Sequence, residues 1–96
     1  MTKTFFPDDS LVEFVSATYG DLAHPIDTWY KVSIGNEIWE ESSPLVIKVQ
    51  MQYKKTGLQG RRSPSYPFGT DDYERVHRAI QRLIDKKHAM IAKKDA

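Results

Sequence analysis

The 96-residue chain contains no cysteine. Disulfide staples and thiolate zinc sites are therefore excluded, and a reducing compartment is favoured. There is no apolar run near the roughly 20 residues that span a bilayer. The opening MTKTFFPDD has one lysine and too short an apolar stretch for a secretion signal. The expectation is a cytoplasmic protein with no membrane contact. Catalytic motifs are also missing. The glycines of TGLQG lack the G-K-[ST] of a phosphate cradle. His24, His77 and His88 form no H-x-x-x-H, and His77 and His88 lie too far apart along a helix for one metal ion. Asp71-Asp72 is better explained as helix capping, Glu40-Glu41 would point to opposite faces of a strand, and Ser63 and Ser65 flank a proline with no histidine near in sequence. The expectation is a non-enzyme with no catalytic residues, no metal and no cofactor.

What remains is an ordinary globular composition, 40% apolar and 28% charged, at a length suited to one domain spanning residues 1–96. Residues 1–9 read as an N-terminal tail and 93–96 as a frayed end. The net charge of +1 conceals an asymmetry. Residues 1–49 carry three bases and eight acids, giving −5, and residues 50–96 carry eleven bases and five acids, giving +6. A basic half attracts phosphate or an acidic partner, although solvated surface lysines are the commoner reason for such charge.

The elements follow from periodicity. In SLVEFVSATYGD, a capping box (Ser10 and Glu13) competes with β-branched and aromatic residues, and the latter favour a strand. TWYKVSI alternates cleanly, with Tyr30, Val32 and Ile34 on one face and Trp29, Lys31 and Ser33 on the other. Gly35-Asn36 reads as a two-residue hairpin and EIWEE as an acidic return strand. LVIKVQMQYKK is the strongest strand. Leu45, Ile47, Val49, Met51 and Tyr53 share one face; Val46, Lys48, Gln50, Gln52 and Lys54 share the other. TGLQG reads as a turn with Gly57 and Gly60 at positive φ, and RRSPSYPF as a further strand that Pro64 confines to an edge or bulge.

A helix is expected over 71–92, capped by Asp71 and Glu74 or by Thr70. Tyr73, Val76, Ile80, Leu83, Ile84, Met90 and Ile91 form its apolar stripe, and Arg75, Arg78, Arg82 and Lys86 form a nearly opposite basic one. Lys87 interrupts the apolar stripe, as expected where the helix outruns its sheet or meets another chain. The fold class is α+β: an antiparallel β-meander of four or five strands, then one long C-terminal helix packed on one sheet face, a two-layer sandwich.

Lysines, glutamines and an aromatic on one sheet face are what a single-stranded nucleic-acid groove needs. The candidate contacts on that face are Lys31, Lys48, Gln50, Gln52, Lys54 and Arg61, with Trp29 as the aromatic platform. The segments LVIKVQMQY, GRRSPSYPF and TDDYERVHRAI, in that order, resemble the PC4-like single-stranded DNA-binding transcriptional coactivators over about Leu45 to Ile84. That resemblance implies strands that grip single-stranded DNA or RNA, a regulatory role and a homodimer formed through the helices. By that resemblance Lys48, Lys54, Arg61 and Arg62 would contact phosphates, Trp29 or Tyr53 would stack on bases, and Tyr73 would take the aromatic helix position. A second class of function is a protein-interaction module, an inhibitor or adaptor anchored by Trp39, the acidic EIWEE segment and the helix arginines Arg75, Arg78 and Arg82.

Overall fold

A computed structural model describes residues 4–54, 57–59 and 63–95. Four strands, β1 (Thr4–Ser16), β2 (Thr28–Ile38), β3 (Leu45–Tyr53) and β4 (Gly57–Gln59), precede one helix, α1 (Asp72–Asp95). The strands form one antiparallel sheet in the order β1-β2-β3-β4. The helix packs on one face over β1 and β2. The thinnest dimension is 20 Å, which accommodates one sheet and one helix with no third layer. This is the α+β meander-plus-helix arrangement read from the alternation.

Strand wins over helix at residues 10–16. The two residues that mimicked a capping box have other partners. Ser10 donates its N–H and hydroxyl to Asp8 Oδ1 at 2.9 and 2.7 Å, and Glu13 accepts Arg82. The Asp8–Ser10 turn makes the irregularity between Pro7 and Val12, where the β1–β2 register shifts. The strand begins at Thr4, inside the stretch read as a tail, because Thr4–Pro7 pair with Gly35–Ile38.

Gly35-Asn36 is not a hairpin. β2 runs straight through it, and the turn falls at residues 39–44, closed by Trp39 N–H to Ser42 O at 2.8 Å. Gly35 is there for closeness rather than for positive φ. A Cβ at that position would sit 2.2 Å from the Phe6 carbonyl oxygen, where β1 crosses tightly at its bulge. EIWEE is therefore the end of β2 and its turn, not a separate strand. TGLQG is likewise not simply a turn. Gly57, at φ 71°, opens the short strand β4, whose Gly57, Leu58 and Gln59 pair with Tyr53, Gln52 and Met51. Of RRSPSYPF, Arg61 and Arg62 lie outside the described residues, as does Gly60, and Ser63–Pro67 is irregular chain instead of a strand.

The core comprises Leu11 and Val15 of β1, Tyr30, Val32 and Ile34 of β2, Met51 of β3, and Val76, Ala79 and Leu83 of α1. Thr70 supplies the helix cap: its Oγ1 accepts the Asp72 N–H at 3.3 Å. Asp71 instead accepts Arg75 Nε at 3.0 Å. The apolar stripe is buried only as far as Leu83, with Met90 and Ile91 exposed, so the helix outruns its core beyond Leu83 and continues to Asp95. Tyr73 is exposed, packed edge-on to Tyr66 and stacked on His77. The basic stripe lies along β1 rather than away from the sheet. Arg75 Nη1 donates to Ser16 O at 2.6 Å, Arg82 grips Glu13 through Nε and Nη2, and Lys86 Nζ donates to Ser10 O at 2.7 Å.

Candidate functional site

The strand register sorts the side chains into two faces. Leu11, Glu13 and Val15 point towards α1 with Tyr30, Val32 and Ile34 and with Leu45, Ile47, Val49, Met51 and Tyr53. Among the described residues, no layer covers the opposite face. There Phe14 lies across from Lys31, and Lys31 across from Gln50. The next row is Ser16, Trp29, Gln52 and Leu58, and the row on the other side is Val12, Ser33 and Lys48.

Four of the sequence-predicted contacts (Lys31, Lys48, Gln50 and Gln52) thus share one face with Trp29. Tyr53 does not join them. It faces the helix layer opposite Thr28 and packs against the core, which removes it as a stacking platform on this face. Lys54 follows the strand at a turn and pairs with Asp27 at 3.3 Å. Arg61 and Arg62 lie outside the described residues. Phe14 was missed as a candidate because β1 was ambiguous in sequence. Its alternation with Val12 and Ser16 was the available signal. Phe14 is 51% exposed and Trp29 38% exposed, and the two sit diagonally across neighbouring strands, roughly 7–8 Å apart in backbone position.

The electrostatics are milder than the residue count implies. Lys48 Nζ lies 3.1 Å from Glu37 Oε2 and 5.1 Å from the Phe5 ring centroid, so its charge is already shared. Lys31 has no ion pair among the described residues and stands between Phe14 and Gln50. Ser33 is fully buried beneath its neighbours, and its Oγ has no hydrogen-bond partner.

The alternative anchors are dispersed. Trp39 sits at the β2–β3 turn, its Nε1 donating to Glu37 Oε1 at 3.0 Å, and with Glu40, Glu41 and Ser42 it borders a shallow depression. Arg75, Arg78 and Arg82 do not gather with it. Arg75 and Arg82 are tied to Asp71, Asp72 and β1, and Arg78 lies 3.7 Å from Glu74.

A buried polar cluster lies under the helix N-terminus and was not anticipated from sequence. Asp72, fully buried, accepts bonds from the Thr18 N–H at 2.9 Å, the Thr18 hydroxyl, the Tyr30 hydroxyl at 2.7 Å and Arg75 Nη2 at 2.7 Å. Burial pushes its carboxyl up, but the bonds from Thr18 and Tyr30 and the Arg75 charge outweigh that and hold it below the ordinary aspartate range. Burial, reinforced by Asp72, raises the Tyr30 phenol far above its usual value. His24 Nε2 lies 2.8 Å from Ser65 O, anchoring the segment that leads into the helix. Thr18, Ser65 and Asp72 are far apart in sequence, and no local pattern signals their meeting. Asp72 and Tyr30 are fully buried at its centre, and its bonds fix where the helix begins.

Among the described residues, no three His, Asp or Glu side chains converge in a way that could hold a metal ion, and no helix is long and apolar enough to cross a membrane. The chain matches no protein-family model, no curated protein and no solved structure.

Proposed function

We propose that this is a non-enzymatic binding protein that holds single-stranded nucleic acid, in a regulatory role, on the open face of its sheet. The observation that carries the reading is the pair of exposed rings, Trp29 and Phe14, on a face that no described residue layers over, flanking Lys31, which has no ion pair among the described residues, with Gln50 and Gln52 opposite. Unpaired bases stack on such rings irrespective of sequence, each worth about 1–3 kcal/mol, and Lys31 meets the phosphate. A duplex, whose bases are already stacked, gains little from the same face. The pattern-level resemblance to PC4-like coactivators is compatible with this reading, as are the alternating basic and polar positions of β3.

The test is fluorescence anisotropy with labelled single-stranded oligonucleotides and a duplex control, at low and moderate salt. Binding should be micromolar or tighter, prefer single strands and weaken with salt. Lys31→Ala should reduce the salt slope by about 0.7. No binding at low salt, or equal binding of Trp29→Ala and wild type, would sink the reading.

A second reading, docking of a protein partner at the acidic turn, rests on the partly exposed Trp39 beside Glu40 and Glu41. It predicts that Trp39→Ala abolishes capture of that partner and leaves oligonucleotide binding unchanged. The helix arginines do not contribute to it.

A further inference from the structure

The helix arginines take no part in either reading above. Arg75, Arg78 and Arg82 stand at i, i+3 and i+7, on one side of α1. That side lies along the outer edge of β1. Ala17 N–H bonds Thr28 O at 2.9 Å, so the alternate carbonyl, Ser16 O, points away from β2, and Arg75 Nη1 takes it. There the three arginines line one depression with Phe14, Val15 and Ser16. Phe14 therefore belongs to two surroundings. Lys31 lies across from it on β2, and the arginines lie on its outer side.

The three arginines are not equivalent. Arg75 commits Nε to Asp71, Nη1 to Ser16 O and Nη2 to Asp72. Arg82 commits Nε and Nη2 to Glu13. Both are fixed walls whose charges are met by carboxylates. Arg78 is held loosely. Its Nη2 lies 3.7 Å from Glu74 Oε2, beyond hydrogen-bond reach, and its Nε meets the Glu74 carbonyl at 3.4 Å. Its side chain is 59% exposed and that of Glu74 73% exposed. An ion pair so long and so solvated contributes little. A phosphodiester that accepts two parallel N–H bonds from the guanidinium is the stronger partner.

We infer that this depression is a second backbone subsite for the strand that stacks on the open face, with Arg78 as its phosphate contact. The inference rests on the nucleic-acid reading above. A nucleotide stacked on Phe14 has a phosphate on either side. Lys31 meets the inner one and Arg78 the outer one, in place of Glu74. The strand thus runs from Trp29 across Phe14 and over the edge of β1, instead of ending on the sheet. The carboxylates around Arg75 and Arg82 leave those two charges matched, so the subsite takes one phosphate and not several.

Anisotropy with a labelled oligothymidylate, followed from about 50 mM to about 200 mM salt, tests this. Arg78→Ala should lower the salt slope by about 0.7, which is about 2.6-fold in affinity over a fourfold change in salt. Arg78→Ala with Lys31→Ala should lower it by about 1.4, because the two phosphates are separate. Lys93→Ala removes the same charge from an exposed site at the far end of the helix and should leave the slope unchanged. Glu74→Gln should tighten binding at low salt, and the gain should vanish when Arg78 is also changed to Ala. An Arg78→Ala slope equal to that of Lys93→Ala would overturn the inference. So would a Glu74→Gln gain that persists without Arg78, which would make it a general effect of charge. Wild-type binding that is lost on Trp29→Ala but indifferent to Arg78→Ala removes this subsite alone, whereas no wild-type binding at low salt removes the nucleic-acid reading and the subsite together.

Discussion

The covered and open faces of this sheet treat polar groups differently. Under the helix, Asp72 is fully enclosed and every bond it accepts comes from a fixed donor on another element or turn. On the open face, Lys31, Gln50 and Gln52 are left partly accessible, and the one buried hydroxyl, Ser33 Oγ, goes unpaired. The covered face uses polarity to fix where the helix begins. The open face leaves it partly accessible. Mutations should therefore divide by face, with covered-face changes altering stability and open-face changes altering binding.

The largest effect is expected at Asp72. Asp72→Ala leaves the Thr18 N–H without its acceptor and takes one acceptor each from Tyr30, which keeps Ser65 O, and Arg75, which keeps Asp71 and Ser16 O; removal of one partner of a buried charged network costs about 3–5 kcal/mol, measurable by urea unfolding. The pH dependence has a definite sign. Folding lowers the Asp72 pKa, so its contribution is complete above the ordinary value of 3.8 and is lost as pH falls through the lower folded value. Asp72→Asn should be less stable than wild type at neutral pH and lose less stability on acidification below about pH 4. A steeper acid limb in the variant would contradict the network.

Leu83→Ala comes next. Leu83 is the last fully packed residue of the helix stripe, and emptying its site should cost about 2–5 kcal/mol. The same change at Ile91, past the core, should cost under about 0.5 kcal/mol in the monomer. Gly35→Ala should follow, at about 1–3 kcal/mol by thermal unfolding, because the added methyl meets the β1 backbone at Phe6 and Pro7. Smallest in stability is Phe14→Ser, expected within about 1 kcal/mol. Its signature is instead a loss of oligonucleotide affinity of about tenfold. A Phe14 variant that loses several kcal/mol of stability yet binds as wild type while still folded would erase the distinction between the faces.

Lys31, Lys48, Gln50, Gln52 and Trp29 could be placed on a common face from alternation alone. The period of two is local, and β2 and β3 obey it without interruption. Phe14 escaped because a spurious capping box masked the same period. Tyr53, a stacking residue only by the family resemblance, falls on the far face by alternation, and the structure keeps it there. The pairing of Lys48 with Glu37 and of Lys54 with Asp27 thinned the expected charge, and such pairings depend on where separate segments come to rest.

Alternation and the 3.6-residue stripe by themselves determined the two clean strands β2 and β3, the helix and the α+β class, because each is a property of neighbours along the chain. The position of the β2–β3 turn, the role of Gly35, the Asp72 cluster and the lie of the basic helix stripe along β1 were decided only in three dimensions. Each depends on an approach between residues distant in sequence: Gly35 with Phe6, Thr18 with Asp72, Ser10 with Lys86. The free energy of such approaches comes from packing and from satisfying buried polar groups, and neither is encoded in any local window.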